Sequence, residues 1–164
     1  MVTRILLPVL CLAVVCRADT QTNVAAIVGA ALDSAEIARF PDRDGSSPDT
    51  VFLGTLKALQ TGSLANLYCH FETNYLQRCS GYSRWREIPA DVSESFASAM
   101  QNSGVSNLVV TAYSSATSNR HVRIEATIQE TFEQRTISEN LILSLEEKTD
   151  GWKIVAFDDD NWDD

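Results

Sequence analysis

The sequence predicts an α+β protein in which N-terminal helices pack on a curved, mainly antiparallel meander of four strands. Three observations predict this class. Apolar residues recur at helical spacing in several segments between positions 51 and 100, apolar and polar side chains alternate in residues 121–132 and 136–147, and short polar turns divide residues 105–157 into four segments. Because the helices precede the strands and no linker separates them, we expect the helices to cover one face of a single sheet.

The first two helices of the domain are predicted on either side of a glycine. Apolar residues recur one turn apart after position 50, and either Asp49 or Thr50 is placed to cap this helix. Gly62 is placed to end it, since glycine readily adopts the left-handed conformation found at helix C-termini. Ser63 is placed to cap the second helix. The apolar side of that second helix consists of Leu64, Leu67, Tyr68 and Phe71.

An irregular segment and a third helix follow. Residues 77–89 show no regular period, whereas a helix is predicted from about Asp91, where Asp91 and Glu94 have the spacing of a capping box. The polar residues 102–104, which end in glycine, are expected to stop it. The side chains predicted to face inward are Val92, Phe96, Ala99 and Met100.

The second half of the chain predicts the four strands. Residues 105–114 are rich in β-branched and aromatic side chains, residues 121–132 and 136–147 alternate, and residues 152–157 form the last strand. The Thr-Asp-Gly sequence before Trp152 is typical of a tight hairpin turn. In the second strand Val122, Ile124, Ala126, Ile128 and Phe132 are predicted to face the core, opposite Arg123, Glu125, Thr127 and Gln129.

The first 18 residues have the pattern of a secretory signal peptide. A single arginine precedes an apolar run over residues 5–16, which is too short to span a membrane, and small residues stand at the positions that signal peptidase reads. We expect cleavage after Ala18 and a secreted or periplasmic protein. Lipid attachment at Cys11 or Cys16 is the alternative, disfavoured because a bulky residue precedes each cysteine.

Three further segments follow the signal peptide. Residues 19–48 are predicted as a helical and loop extension with a helix over Asn23–Arg39, residues 49–158 as the domain, and residues 159–164 as an acidic tail. Asp158, the last residue before that tail, could contribute with it to cation capture, although such tails are more often solvated.

The charge of the chain excludes some classes of partner. The formal net charge is −9, and removing residues 1–18 takes away two arginines and no acid, which leaves −11. No run of basic residues occurs in the sequence. Nucleic acids and anionic membranes bind clustered positive charge, so neither is an expected partner.

Cys69 and Cys79 are the two cysteines that remain after signal cleavage. Export favours a disulfide between them, with two buried free thiols as the alternative. Because ten residues of helix span about 15 Å and a disulfide allows only about 7 Å between Cα atoms, a bridge would require the chain to turn back between the two cysteines.

No metal or cofactor site is predicted. Asp42, Asp44 and Gly45 resemble part of a calcium loop but lack its closing glutamate. The two cysteines and the two histidines, His70 and His121, do not have a metal-ligand spacing. Nucleotide and phosphate motifs are absent from the sequence as well.

Two stretches of sequence resemble the NTF2-like superfamily. Residues 50–71 (TVFLGTLKALQTGSLANLYCHF) join two helices through a Thr-Gly-Ser break, and residues 141–157 (LILSLEEKTDGWKIVAF) form a final hairpin. The likeness covers about residues 48–158. It implies a cone-shaped domain whose curved sheet wraps a helix and leaves a pocket. The superfamily includes isomerases and dehydratases as well as binding and dimerisation modules, so the resemblance implies a fold rather than an activity.

Several residues have the chemistry of a functional site. His70, Tyr68 and Tyr113 are the acid–base candidates for an isomerase-, dehydratase- or hydrolase-like enzyme. A structural role is the competing interpretation of each, and an exposed position is expected for His121. The residues predicted to line a ligand pocket, or alternatively to fill the core, are Tyr68, Tyr82, Trp85, Arg86 and Tyr113.

The leading hypothesis is an exported, non-catalytic domain that binds a small apolar ligand or a protein partner. It depends on an apolar core that lacks a convergent set of titratable groups. A pocket enzyme is the second hypothesis. A homodimer through the strand face that bears Arg123 and Glu125 is the third.

Overall fold

The computed structural model describes residues 32–103, 105–132 and 134–159, and the predicted signal peptide and the end of the acidic tail lie outside them. Within these residues five helices precede four strands. The helices are α1 (Ser34–Ile37), α2 (Pro48–Thr61), α3 (Leu64–Tyr68), α4 (Thr73–Ser80) and α5 (Ala90–Ser103), with 3-10 turns at Trp85–Glu87 and Val105–Asn107; the strands are β1 (Val109–Ser118), β2 (His121–Phe132), β3 (Arg135–Lys148) and β4 (Gly151–Asp159).

The strands form one antiparallel sheet in the order β1-β2-β3-β4, which confirms the predicted α+β meander. The alternation predicted for β2 is also confirmed, because Val122, Ile124 and Ala126 are buried while Arg123 and Glu125 are exposed. We call the buried side of the sheet the inner face and the opposite side the outer face. The first strand starts later than predicted, since residues 105–107 form a 3-10 turn that buries Val105.

Helix α2 lies against the inner face and supplies much of the core. Val51, Phe52 and Leu56 are completely buried. The helix begins two or three residues earlier than predicted, since Ser47 is the N-cap and accepts a hydrogen bond from the Thr50 amide at 3.1 Å. Asp49 and Thr50 are therefore not the cap, because Pro48 already occupies the first helical position and fixes a helical φ there.

Gly62 ends α2 as predicted, with φ at +63°. A Cβ atom there would lie 2.8 Å from the Cα atom of Ala97, so the glycine also allows α2 to approach α5 closely. Ser63 occupies the next N-cap position, but its side chain makes no capping hydrogen bond, and α3 has only five residues.

The chain between α3 and α4 pairs briefly with the sheet. Phe71 forms a parallel bridge with Ile154 of β4, and the Glu72 amide donates to the Ile154 carbonyl at 2.8 Å. The Glu72 carboxylate then caps α4 by accepting from the amides of Asn74 and Tyr75. Helix α4 covers the start of the segment predicted as irregular and stops at Gly81, whose φ is +78°.

The residues before α2 pack on the domain. Leu32 forms an antiparallel bridge with Val110, Asp33 caps the four-residue α1, and both Leu32 and Ile37 are completely buried. The single helix predicted over Asn23–Arg39 is thus wrong at residues 32 and 33, where pairing with β1 extends the backbone, and within the described part of that range only Ser34–Ile37 is helical. The earlier part of that prediction lies outside the described residues.

Helix α5 packs more loosely than its sequence predicts. None of its residues is buried, Val92 is 39% exposed, and Ala99 is exposed as well. Phe96 and Met100 are half-buried and contact the core clusters. The helix therefore lies over a space that its own side chains do not fill.

Candidate functional site

The space beneath α5 is an apolar cavity of about 610 Å³ between the helices and the inner face of the sheet. Its size falls within the range of small-molecule sites, about 300–1,000 Å³. The apolar side chains come from every helix from α2 to α5 and from three strands. They include Leu59, Leu67, Phe71, Tyr75, Phe96, Met100, Val105, Ile128, Leu141 and Phe157.

Aromatic rings form one wall of the cavity. The ring centroid of Phe71 lies 5.2 Å from that of Tyr68, 5.1 Å from that of Tyr75 and 6.1 Å from that of Phe157. The Tyr75 hydroxyl accepts a hydrogen bond from the Phe157 amide at 2.8 Å. Because this bond ties α4 to β4, the wall is held in place without a ligand.

Two carboxylates stand on the sheet side of the cavity. Glu130 of β2 and Glu139 of β3 both line it, and both are half-buried. Ile128 pairs with Glu139 and Ile137 pairs with Glu130, so the carboxylates are diagonal neighbours on the inner face. Burial raises the pKa of Glu130, and the charge of Glu139 adds to that rise. The cavity therefore has an apolar body and an acidic end.

A second cavity, of about 660 Å³, lies on the other side of the α3–α4 connection, and Tyr68 and Phe71 line both cavities. Its polar wall is built on Trp85. The guanidinium of Arg43 lies 4.3 Å from the Trp85 ring centroid and that of Arg86 lies 5.0 Å from it. We call this cavity the Trp85 groove.

Two cations in or beside the Trp85 groove have partners within the protein. Arg43, which is not part of the lining, donates from Nε to Asn66 at 2.9 Å, and the lining residue Lys153 has its Nζ 3.2 Å from the Cys69 carbonyl and 3.3 Å from Asp150. Acidic side chains of Glu72, Glu87 and Asp150 share the lining. These contacts indicate a structural junction between the loop before α2, the α3–α4 connection and β4.

His70 lies in the interior, 2% exposed, and lines neither of these two cavities. Its Nε2 is 3.1 Å from the Asp42 carbonyl oxygen, so the ring donates there from a neutral tautomer. Burial lowers the pKa of His70 to about 4, with the Asp42 hydrogen bond acting in the opposite direction. The neutral ring joins the loop before α2 to the end of α3.

Tyr113 has a different partner, which the sequence did not suggest. Its hydroxyl donates to the carboxylate of Asp49, and its ring lies 5.2 Å from that of Phe52. Asp49 is 2% exposed, and burial raises its pKa although the Tyr113 hydrogen bond lowers it. Burial and Asp49 both raise the pKa of Tyr113. Helical spacing offered a signal, because Asp49 shares a face with the buried Phe52 and Leu53.

The five residues predicted to line a pocket do not share one. Tyr68 lines both cavities, Trp85 and Arg86 line the Trp85 groove, and Tyr82 and Tyr113 line neither. Two of the acid–base candidates also have different hydrogen-bond partners, since His70 is hydrogen-bonded to the Asp42 carbonyl and Tyr113 to the Asp49 carboxylate. The sequence analysis did not predict Glu130 and Glu139 as site residues, because acidic residues among polar neighbours near a strand end ordinarily face solvent.

Cys69 and Cys79 are free in the structure, so the predicted disulfide is not present in it. The Cys69 Sγ lies 3.0 Å from the Asn66 carbonyl and is directed back along α3. Cys79 is on α4, where it lines the apolar cavity. The chain does turn between the cysteines, but the bridge of Phe71 with β4 produces that turn.

The remaining candidates lie at the surface. His121 is exposed at the start of β2, and Arg123 Nε donates to the Glu125 carboxylate at 2.7 Å on the outer face. Over residues 32–103, 105–132 and 134–159 no three side chains of His, Cys, Asp or Glu are grouped as metal ligands. In the same segments no helix is long and apolar enough to cross a membrane.

The fold and its cavity define a class of domain, in which helices enclose an apolar space on the inner face of a four-stranded antiparallel sheet. No protein-family model and no curated protein matches the sequence. Two solved structures are similar in fold alone. One, named Rd1NTF2_05 and carrying five substitutions, is 11% identical with a TM-score of 0.45, over 63% of this chain and 88% of that one. The other, from Xanthomonas campestris and named as a calcium/calmodulin-dependent protein kinase II association domain, is 11% identical with a TM-score of 0.46, over 74% of this chain and 94% of that one.

Proposed function

We propose that this protein is a non-catalytic binding domain that holds a small apolar ligand in the cavity beneath α5. The observation that carries the proposal is an apolar cavity of about 610 Å³ whose aromatic wall is already fixed by the hydrogen bond between Tyr75 and Phe157. A preformed wall reduces the ordering cost of binding. The loose packing of α5 supports the proposal, because the side chains of that helix leave the cavity unfilled.

A cavity-filling substitution tests the proposal. Met100 is half-buried on α5 and lines the cavity, so Met100→Trp is expected to occupy the ligand's volume. Ala99→Trp is the matched control, because Ala99 is exposed on the same helix. The probe is N-phenyl-naphthylamine, an uncharged apolar dye whose fluorescence rises in apolar surroundings.

We expect saturable binding of one dye molecule per chain and a loss of at least about tenfold in affinity for Met100→Trp, since the larger indole would occupy volume that the dye needs. Ala99→Trp is expected to bind like the unsubstituted protein. Absence of saturable binding, or equal loss in both variants, would overturn the proposal. Circular dichroism of each variant verifies that the fold is retained.

Export of this binding domain is part of the proposal. The support is the apolar run at residues 5–16 followed by small residues, which has the pattern of a signal peptide cleaved after Ala18. The acidic composition suits solubility outside the cytoplasm.

Dimerisation through the outer face is the second candidate function. Ala112, Ser114 and Ala116 of β1 are small and exposed on this face, where Arg123 and Glu125 of β2 are exposed as well. Small side chains allow a second copy to approach the backbone closely. The intrachain pair of Arg123 and Glu125 lies on the same face and gives it both signs of charge.

The pocket-enzyme hypothesis has less support. His70, Tyr68 and Tyr113 would have to act on one substrate, but the polar atoms of His70 and Tyr113 are bonded to Asp42 and Asp49 in the interior. General acid–base catalysis requires the groups to reach the same reacting atoms.

A further inference from the structure

The acidic end of the apolar cavity indicates the chemical class of the ligand. Glu130 and Glu139 are diagonal neighbours on the inner face near the β2–β3 turn. Ile137, which pairs with Glu130, is 54% exposed, so solvent reaches this end of the cavity. A ligand that enters the apolar body from this end would leave its head group beside the two carboxylates.

Neither carboxylate has a partner within the part of the chain that the structure describes. No hydrogen bond or ion pair involves Glu130 or Glu139 there, whereas Glu125, Glu146 and Glu147 are each paired with a lysine or arginine. Among the described residues, those that line the cavity include no lysine, arginine or histidine. Arg135 lies on the same face next to the turn, but it is exposed and is not part of the lining.

Two like charges beside an apolar space are unfavourable without a counterion. The raised pKa of Glu130, caused first by burial and then by Glu139, agrees with that cost. A cation between the two carboxylates would remove the repulsion, and an anionic head group would increase it. The apolar walls would accept an alkyl or aryl body at the same time.

We infer that the ligand of this cavity is an amphipathic amine, with its apolar body against Phe71, Tyr75 and Phe157 and its ammonium group between Glu130 and Glu139. The inference rests on the proposed binding function and specifies the head group that the cavity selects. It excludes fatty acids as the preferred ligand.

Three probes with the same chain separate the head group from the apolar body. Decylamine, decanol and decanoate are titrated into the protein by calorimetry, each below its micelle concentration and at physiological ionic strength. We expect decylamine to bind about tenfold more tightly than decanol, the size of a partly exposed charge-assisted contact. Decanoate is expected to bind more weakly than decanol because of repulsion by the carboxylates.

Charge-removing variants locate the effect. Glu130→Gln and Glu139→Gln are expected to reduce the preference for decylamine over decanol by about threefold or more each, while decanol affinity stays within about twofold. Glu94→Gln is the matched control, because it removes one exposed acid from α5 outside the cavity. That control accounts for nonspecific attraction of a cation to an acidic protein.

The outcomes distinguish the two proposals. Failure of all three probes to bind would overturn the binding function itself. Equal affinity for decylamine and decanol, or tighter binding of decanoate, would overturn the amine assignment and leave the apolar site intact. A decylamine preference that Glu94→Gln reduces as much as Glu130→Gln would also overturn it, since the preference would then reflect overall charge.

Discussion

His70 shows how one buried side chain links the stability of this fold to pH. The ring is 2% exposed and donates to the Asp42 carbonyl, and burial lowers its pKa to about 4 from an ordinary value of 6.5. Lys153 and Arg43 also lower that pKa, while Asp44 raises it. The folded protein therefore keeps the ring neutral under conditions in which the unfolded chain already protonates it.

The first residue-scale prediction follows from that difference. Between pH 6.5 and about 4 the unfolded chain binds the extra proton, so stability from neutral His70 is complete above pH 6.5 and is lost as the pH falls. We expect the loss to reach about 3 kcal/mol. The measurement is the free energy of unfolding by urea at several pH values.

The variant His70→Gln is the control, because glutamine can donate to the Asp42 carbonyl and does not titrate. The difference between the two proteins isolates the contribution of His70, because the carboxylates titrate in both. A difference that stays constant between pH 4 and pH 7 would contradict this account of His70.

At the scale of one element, helix α2 contains a glycine, Gly54, at a position where a larger residue would clash with a neighbour. Gly54 lies in the middle of the helix, where glycine costs about 1 kcal/mol relative to alanine. A Cβ atom at this position would stand 2.5 Å from Nε2 and 2.9 Å from Cε1 of His70. The helix therefore gives up intrinsic stability so that the imidazole can lie against it.

We predict that Gly54→Ala destabilises the protein by about 1–3 kcal/mol, the range of overpacking in a filled interior, despite the better helix propensity of alanine. Thermal or urea unfolding measures the change. The same substitution made in a His70→Ala background is expected to be neutral or stabilising, because the space is then free. Equal destabilisation in both backgrounds would show that the contact with His70 is not the cause.

At the scale of the whole molecule, the two faces of the sheet differ in their surroundings. The inner face is covered by helices and encloses the cavity, whereas many strand side chains on the outer face are exposed and small. Ile142 also lies on the outer face, but it is buried, with 8% of its surface exposed in a single chain. Ligand binding and self-association would thus use opposite faces and can be tested independently.

We predict reversible dimerisation through the outer face at high protein concentration, measured by light scattering coupled to size exclusion. Ser114→Arg places a bulky cation at an exposed position of that face and is expected to give a monomer. Ser98→Arg is the matched control, because Ser98 is an exposed serine on α5. A monomer at every concentration, or equal effects of the two variants, would contradict dimerisation through this face.

Much of the fold follows from local patterns in the sequence. The alternation in β2 assigned its buried face correctly, and Gly62 ends α2 because a left-handed C-cap is a local requirement. The errors occurred where distant residues compete with local preference. Leu32 pairs with Val110 instead of continuing a helix, and Phe71 pairs with Ile154 and so separates α3 from α4.

The sequence by itself determined the order of helices and strands, the acidic charge and the faces of the strands, because these depend on residues close together in the chain. Only the tertiary structure decided the site. Glu130 and Glu139 meet because the hairpin register pairs Ile128 with Glu139, and helices α3 to α5 place the aromatic wall opposite them. The same packing produces the hydrogen bond of the Tyr113 hydroxyl to the Asp49 carboxylate and that of His70 to the Asp42 carbonyl. Such contacts depend on how elements pack, which a local pattern does not encode.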